Sequence, residues 1–377
     1  MSAVRAVHLI PQAMESQAIA SRPDVLPPSS GVSCTEKRLF ERARCLAAEF
    51  PTAGLRPIAL IRVDELDERA GGRVWLALEA LQATGSFKVR GALLALDELR
   101  RQGHVAVVTA SAGNHGAGVA HAARVLGMQA FVFVPSGTPQ KKRRRIERGA
   151  RLVVASSPHY DAAEREARQY AAKMKLPFVS AYEDAAVAIG NGGSIACEIV
   201  AELGRVPSRV IVPVGGGGLA SGLGVALHEE RARTGMEGSL RIFGVQSEAS
   251  PALALSLEQG RAVETLELDH PTLAEGLEGG ISQGAFDRVR AILAGVIVVG
   301  EEAIARTMVG LHTAIGLYVE GSGAIAMAPL LERLPPELAP PPHDAAGDDV
   351  VVILTGGNVD EDRFDALRER YGDVKLW

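Results

Sequence analysis

The chain has 377 residues, of which 47% are hydrophobic and 23% charged, and its formal net charge is −5. This composition is ordinary for a globular protein with one large domain or two smaller ones. The negative balance argues against a nucleic-acid partner. No run approaches the roughly 18 to 20 apolar residues that a membrane-spanning helix needs. Three cysteines, Cys34, Cys45 and Cys197, favour a reducing compartment over a disulfide framework, so we expect a cytoplasmic protein.

Two segments are predicted to lie outside the packed core. The first, residues 1–35, has no signal-peptide pattern and ends in a proline- and serine-rich stretch, so we expect a mobile N-terminal extension. The second, Leu334–His343, carries prolines at a density that a helix or central strand does not tolerate, which predicts a surface loop.

Short β-branched runs alternate with longer amphipathic stretches along the chain. The predicted strands are Val105–Thr109, Ala130–Val134, Arg151–Val154, Arg209–Val212, Arg241–Val245, Val296–Val299 and Val350–Leu354. The predicted helices include Ala162–Lys175, Ser194–Leu203, Leu219–Arg233 and Glu301–Gly316. Continuous apolar strands that alternate with helices indicate an α/β fold with mainly parallel sheets.

One charged run stands apart from this alternation. Lys141–Arg145 consists of five basic residues, and its simplest interpretation is the solvated face of a short helix. A phosphate or polyanion patch is the alternative. The run lacks the interleaved aromatic residues that are typical of a single-strand binder.

Three polar, glycine-rich turns follow predicted strands. They are Ser111–Gly116, Pro213–Leu219 and Thr355–Asn358. In open α/β sheets, ligands bind at the carboxyl ends of the strands. We therefore expect one site that is assembled from these distant segments.

The glycine run within the second turn predicts phosphate binding. Gly215–Gly218 follows a strand and opens a helix, where converging backbone N–H groups can hold an anion. The run also fits the G-x-G-x-x-A dinucleotide fingerprint, with Glu248 after the next strand, so a nicotinamide oxidoreductase is an alternative. That alternative gives no account of Lys88, which lies in the turn Thr84–Ala92.

Lys88 is the residue that links these turns to a cofactor. Asn114 offers an amide and Thr355 a strand-end hydroxyl, while His115 alone is more typical of a packing residue. A lysine, a phosphate cradle, an amide and a hydroxyl are together what pyridoxal phosphate (PLP) requires. The lysine forms the Schiff base, and the cofactor acts as an electron sink.

At these motifs the chain resembles the fold-type II PLP enzymes, the tryptophan synthase β-like group, and within them the threonine/serine dehydratases. The resemblance runs from about Arg38 to Asp360. The cofactor-binding residues that it implies are Phe87, Lys88, Asn114, Gly215, Gly216, Gly217, Gly218, Leu219 and Thr355. The substrate-binding residues that it implies are Ser111, Ala112, Gly113, Asn114 and His115.

The resemblance also assigns roles to these residues. Lys88 holds PLP as a Schiff base and then takes the proton from the substrate Cα. Phe87 packs beside the cofactor ring, Asn114 bonds its hydroxyl, and the glycine run cradles its phosphate. Thr355 faces the pyridine nitrogen, and because a hydroxyl is neutral it favours loss of a β-substituent over long-lived proton exchange.

The implied architecture is two three-layer α/β domains with PLP in the cleft between them. Residues 36–104 and 185–377 form the large PLP-binding domain, and residues 105–184 form a small inserted domain. A homodimer is expected. The implied reaction is β-elimination from a β-hydroxy-α-amino acid such as L-threonine or L-serine, which yields a 2-oxo acid and ammonia.

Several residues depart from the family pattern. Ala112 stands where the serine racemases carry a second serine, so racemisation is not expected as the main activity. Leu253 and Ala254 stand where metal-binding relatives have an acidic residue, so no metal site is expected. The segment Ala188–Ser194, together with Tyr182 and Glu275, differs from the usual threonine dehydratase pattern and leaves the substrate open.

Alternatives to threonine or serine dehydration therefore remain. A substrate derived from hydroxyectoine, a 3-hydroxyaspartate or an arylserine fits the same motifs, as does β-replacement or threonine-synthase-like chemistry. A non-catalytic PLP-binding protein is the alternative outside enzymes.

Overall fold

The computed structural model describes residues 2–10, 34–235, 240–268, 270–334, 338, 348–372 and 374–377. Its strands are β1 (Val4–Leu9), β2 (Leu60–Arg62), β3 (Arg73–Leu78), β4 (Ala106–Ala110), β5 (Gln129–Val134), β6 (Arg151–Val154), β7 (Arg209–Pro213), β8 (Arg241–Ser247), β9 (Gly295–Val299) and β10 (Asp349–Leu354). They form a seven-stranded sheet in the order β1-β9-β8-β7-β10-β3-β2 and a three-stranded sheet in the order β4-β5-β6.

The helices connect these strands in a largely alternating order. They are α1 (Cys34–Arg44), α2 (Leu46–Glu49), α3 (Asp67–Ala70), α4 (Lys88–Arg101), α5 (Asn114–Leu126), α6 (Gln140–Glu147), α7 (Tyr160–Met174), α8 (Ala185–Ala188), α9 (Ser194–Leu203), α10 (Gly218–Thr234), α11 (Ala252–Gln259), α12 (Gln283–Ile292), α13 (Glu301–Ile315), α14 (Gly321–Ala324) and α15 (Glu361–Tyr371). A π-helical segment, Ile189–Gly193, joins α8 to α9.

The large sheet is parallel at its centre and antiparallel at both edges. Strands β9, β8, β7, β10 and β3 run parallel, while β1 pairs antiparallel with β9 and β2 with β3. Both faces are covered by apolar side chains. On β10, Val351 and Ile353 join one core cluster, whereas Val350, Val352 and Leu354 join the other. This alternation is the period of two that a strand imposes on its side chains.

The small sheet is parallel throughout and is also covered on both faces. Ala167 and Ala171 of α7 pack with Phe133 of β5 on one face. Val132 of the same strand points to the other face and clusters with Val119 of α5. The α/β architecture with mainly parallel sheets is therefore confirmed, and each sheet lies between layers of helices.

Most of the predicted strands appear within one or two residues of their predicted ends. The seven predicted runs correspond to β4 through β10. Strands of the small sheet lie within residues 106–154, and strands of the large sheet lie outside that range. The domain limits at 104/105 and 184/185 remain a proposal. Of the predicted loop Leu334–His343, only Leu334 and Leu338 are among the described residues.

The expectation of a mobile extension over residues 1–35 is wrong for its first part. Val4–Leu9 forms β1, whose backbone pairs with β9 from Val4 opposite Val299 to Leu9 opposite Gly295. The pairing covers one edge of the large sheet, which would otherwise expose unpaired backbone groups. Helix α1 already begins at Cys34, and residues 11–33 lie outside the described part of the chain.

One apolar helical stretch satisfies the length and composition of a membrane span. It is Ala185–Leu203, and 67% of its window is buried inside the protein. Such burial is typical of the core helix of a globular domain, so this stretch is weak support for a membrane location.

The pairing of β1 predicts slow amide exchange near the N-terminus. Because β1 bonds to a buried strand, amide groups of Val4–Leu9 that donate to β9 should exchange more slowly than in an unstructured peptide, by about tenfold or more. Hydrogen–deuterium exchange with peptide-level mass spectrometry measures this. Exchange at the rate of an unstructured peptide throughout residues 4–9 would contradict the strand.

Candidate active site

Lys88 is the first residue of α4, directly after a tight turn. Gly85 within that turn has a φ of +70°, and a side chain on it would collide with the amide of Asn358. Glycine is therefore required here both for its backbone conformation and for the close approach. The turn is held to the last strand of the sheet, because Ser86 forms a β-bridge with Gly356 and Phe87 N donates to Thr355 O at 3.1 Å.

A buried ion cluster holds the first turn of α4 in place. The guanidinium of Arg90 donates to both oxygens of Glu79, at 2.7 and 2.8 Å, and to both oxygens of Glu198, at 2.8 Å each. Its side chain and that of Glu79 are fully buried. Burial alone would lower the pKa of Arg90, but the charges and hydrogen bonds of Glu79 and Glu198 outweigh it and raise that pKa. The guanidinium therefore stays charged, and both carboxyl groups are hydrogen-bonded to it.

The π-helical segment supplies a second anchor for the same turn. Asn191 Oδ1 accepts a hydrogen bond from the backbone N–H of Gly91 at 2.8 Å. The first N–H groups of a helix have no partner within the helix, so a side-chain acceptor stabilises this end of α4. Both anchors fix the backbone from which the side chain of Lys88 extends.

The amine of Lys88 lies in an apolar and aromatic environment. Its Nζ is 5.0 Å from the ring centroid of Phe87 and 5.5 Å from that of Tyr182. Burial lowers the pKa of Lys88 from 10.5 to about 8. An appreciable minority of the amine is consequently neutral near physiological pH, far more than for an ordinary lysine, as a nucleophile or a proton acceptor requires.

The Ser111–Gly116 loop leaves β4 and runs into α5. Ser111 Oγ accepts from Gly113 N at 3.2 Å, and α5 begins at Asn114. The ring of His115 is buried, with Nε2 lying 3.1 Å from Thr109 Oγ1. Burial first, and the charge of Lys88 second, lower the pKa of His115 to about 3, so the ring is neutral. Its hydrogen bond into the core agrees with a packing role.

The glycine run forms the turn between β7 and α10. Gly217 has a φ of +79° and precedes the first helical residue, Gly218. A Cβ on Gly216 would lie 2.5 Å from Tyr182 Cδ1. Tyr182 therefore bridges the glycine run and the amine of Lys88. The N–H groups at the start of α10 have no acceptor within the helix and suit an anionic group.

The Thr355–Asn358 turn follows β10 on the other side of Lys88. Thr355 is buried, and its Oγ1 donates to Ser322 O at 3.2 Å. Asn358 Nδ2 donates to Asn114 Oδ1 at 2.7 Å and to Thr84 O at 2.9 Å. The structure thus brings together the lysine turn, the Ser111–Gly116 loop and the Thr355–Asn358 turn, and Tyr182 connects them to the glycine run.

Sequence reasoning did not identify two polar residues at this junction. Glu320 accepts from Asn114 Nδ2 at 2.6 Å, and burial raises the pKa of its carboxyl. Arg145 donates to Thr84 O at 3.0 Å. Glu320 is an isolated acidic residue outside every motif, and no local signal could have found it. Arg145 belongs to the basic run, but its partner is 61 residues away in sequence.

The basic run is on α6, where Lys141, Lys142 and Arg144 are exposed and Arg143 and Arg145 are half-buried. Lys142 Nζ lies 3.4 Å from a carboxylate oxygen of Glu275, which also pairs with Arg363. Lys141 Nζ lies 3.5 Å from Glu361 in a strongly exposed pair. The interpretation as a solvated helix face therefore holds for Lys141 and Lys142, which form exposed ion pairs, whereas Arg145 is half-buried and donates to Thr84 O.

Removal of the Arg90 guanidinium should destabilise the protein strongly. In Arg90→Met, two carboxylates lose their common partner in a buried site, which typically costs about 3–5 kcal/mol of unfolding free energy. Arg101→Met is the matched control, because the Arg101 side chain is 57% exposed and its partner Asp97 keeps Arg42 and Arg100, so the loss should be about 1 kcal/mol or less. Urea unfolding measures both; similar losses would contradict the anchoring role.

Comparison with known proteins places this site in a family. The most similar relatives include the L-threonine ammonia-lyases of Thermotoga maritima and Geobacter sulfurreducens. The first is 35% identical over 82% of this chain and 73% of the relative, and the second is 34% identical over 84% of this chain and 75% of the relative. Among solved structures, the processed threonine deaminase isoform 2 of Solanum lycopersicum aligns with a TM-score of 0.75 and 27% identity, over 92% of this chain and 91% of that one.

The family model described as "Pyridoxal-phosphate dependent enzyme" matches residues 52–356. This range contains Lys88, the Ser111–Gly116 loop, the glycine run and Thr355. Because this family depends on PLP, the match argues against the alternative that the glycine run belongs to a nicotinamide oxidoreductase. This chain belongs to the pyridoxal-phosphate dependent enzyme family.

Proposed function

We propose that this protein is a PLP-dependent ammonia-lyase that converts a β-hydroxy-α-amino acid, such as L-threonine or L-serine, to a 2-oxo acid and ammonia. The observation that carries the proposal is the partly neutral amine of Lys88, which lies between Phe87 and Tyr182 where three strand-end turns converge. Relatives at 34–35% identity are named L-threonine ammonia-lyases.

The residues of the site fit PLP. The amine of Lys88 is desolvated enough to be partly neutral at moderate pH, and bond formation to an aldehyde requires the neutral form. The start of α10 offers unpaired N–H groups to a phosphate. Asn114 Nδ2 gives one hydrogen to Glu320 and keeps the other for a ligand oxygen. When bound, PLP withdraws electrons from the substrate Cα.

Lys88 is the group that moves the proton. Its neutral amine accepts the proton from the substrate Cα, and the burial of the amine disfavours its charged form. Phe87 N is tied to Thr355 O, and Arg90 and Asn191 hold the first turn of α4. The backbone of Lys88 is thus fixed, while its side chain can move between cofactor and substrate.

The start of α5 is proposed to bind the substrate carboxylate. Within Ser111–His115 the N–H of Ser111 already donates to Phe133 O, so the N–H groups nearer the start of α5, together with the positive end of the helix dipole, would hold the anion. Ser111 Oγ already accepts from Gly113 N, which shapes this loop. His115 contributes its backbone, because its ring is bonded in the core and neutral.

The remaining residues bias the reaction towards elimination. Thr355 Oγ1, whose hydrogen goes to Ser322 O, would present only a neutral lone pair to the pyridine nitrogen, which stabilises a protonated ring less than a carboxylate would. Ala112 carries no group that could return a proton to the opposite face of Cα, so racemisation is disfavoured. The Cα–H and Cβ–O bonds break with loss of water, and hydrolysis of the resulting imine releases the 2-oxo acid and ammonia.

The domain limits, the cellular location and the oligomeric state are proposed as well. The PLP residues and the substrate loop lie where the two sheets meet, which supports the domain limits at residues 105 and 184 and a closing cleft that excludes water. A cytoplasmic homodimer is proposed with them. A hydroxyectoine-derived, hydroxyaspartate or arylserine substrate, and β-replacement, remain alternatives because Tyr182 and Glu275 depart from the usual pattern.

The lowered pKa of Lys88 predicts how fast the apoprotein takes up PLP at different pH values. Only the neutral amine reacts, so the rate should rise by about tenfold per pH unit below pH 8 and level off above it. The growth of the visible absorption band measures the rate. The same reaction of PLP with N-acetyl-lysine amide, followed over the same pH values, is the reference for the effect of ionisation of PLP itself. A midpoint near 10.5 would contradict the desolvation of Lys88.

Loss of Lys88 should abolish both the absorption band and the activity. We expect Lys88→Ala to release no ammonia above background from L-threonine, L-serine, 3-hydroxyaspartate or an arylserine, while the unaltered protein is active on at least one of them. Lys173→Ala, on the exposed face of α7, is the control and should retain full activity. An added thiol that enters the product would favour β-replacement, and full ammonia release by Lys88→Ala would overturn the proposal.

A further inference from the structure

A chain of four hydrogen-bonded groups links the lysine turn to Glu320. Thr84 O accepts from Asn358 Nδ2 at 2.9 Å, and the same Nδ2 donates to Asn114 Oδ1 at 2.7 Å. Asn114 Nδ2 then donates to Glu320 Oε1 at 2.6 Å. Each member comes from a different part of the chain, so the network fixes the relative positions of the turn after β3, the start of α5 and the turn after β10.

The direction of every bond in this chain follows from its first member. A backbone carbonyl only accepts, so the Asn358 atom that faces Thr84 O is Nδ2. Because that Nδ2 also faces Asn114, the facing atom of Asn114 is the acceptor Oδ1. The other end of the Asn114 amide, Nδ2, must therefore face Glu320. The assignment does not depend on whether Glu320 is ionised.

Counting hydrogens leaves one donor free. Asn358 Nδ2 has two hydrogens, which go to Thr84 O and Asn114 Oδ1. Asn114 Nδ2 also has two, and one goes to Glu320. The second takes no partner among the described residues. It is the donor that the proposed function assigns to the ring hydroxyl of PLP.

We propose that Glu320 is a positioning residue, which holds the Asn114 carboxamide so that its remaining Nδ2 hydrogen points at the cofactor's ring oxygen. Without an acceptor at Glu320, the Nδ2 end of Asn114 loses its partner on that side and the amide can tilt or rotate. The backbone supports the same placement, since Glu320 N donates to Gly356 O at 2.9 Å. A side chain on Gly356 would collide with the Glu320 carboxylate. This inference rests on the proposed PLP site.

The test compares PLP with 3-deoxypyridoxal 5'-phosphate, which lacks the ring hydroxyl. The dissociation constant of each is measured by equilibrium dialysis with the apoprotein. The change in the ratio of the two constants between variants reports the ring-oxygen contact, because differences intrinsic to the two cofactors cancel. In Glu320→Met, which keeps the length of the side chain but removes the carboxylate, the preference for PLP should fall by about tenfold. In Glu320→Gln, whose Oε1 can still accept from Asn114, the preference should stay within about twofold of the unaltered protein.

A merely structural role of Glu320 would move both constants together. Glu301→Met is the matched control, because Glu301 is also a half-buried carboxylate but accepts from Thr272 and Leu273 outside the network. It should lower thermal stability and leave the preference for PLP unchanged.

The outcomes separate this inference from the function on which it rests. Failure of the unaltered protein to bind PLP would overturn the proposed function, and the inference with it. PLP binding with an unchanged preference in Glu320→Met, or an equal loss of affinity for both cofactors, would overturn the role of Glu320 alone. A lost preference in Glu320→Met that Glu320→Gln restores supports it.

Discussion

The buried pairing of Arg90 with Glu79 and Glu198 is the interaction on which the site depends. A charge cluster in the interior is stable only when every member is paired, so its geometry leaves little freedom to the helix that carries it. Arg90 is two residues after Lys88, and its partners come from the turn after β3 and from α9. The cluster therefore ties the start of α4 to two other elements. The backbone from which the buried side chain of Lys88 extends is thereby held in place.

The other motifs of the site are built in the same way as the lysine turn. Each motif is a turn at the carboxyl end of a parallel strand, and each turn continues into a helix or closes against one. Such turns bring backbone N–H groups to the ligand without a buried unpaired charge, because helix starts have donors to spare. Lys88 and the glycine run meet at Tyr182, while Asn114 and Asn358 bond directly across the junction of the two sheets.

Much of the fold and the motif residues could be predicted from the sequence, because they depend on local patterns. Runs such as Val350–Leu354 are continuous and β-branched, and they formed the predicted central strands. Val4–Leu9 mixes charged and apolar residues and becomes a strand only because β9 offers it an edge. Glu320 and Asn191 act through partners 206 and 100 residues away in sequence, and a single chain gives no local sign of such contacts. Roles of Tyr182 and Glu275 towards a substrate depend likewise on the shape of the cleft.

We propose that Lys88 is the residue that carries the cofactor. Reduction of the PLP-loaded protein with borohydride fixes the cofactor covalently to the amine that holds it, and peptide mapping by mass spectrometry then locates it. We expect a single pyridoxyl group on the peptide that contains Lys88. A pyridoxyl group on another lysine, with Lys88 unmodified, would contradict it.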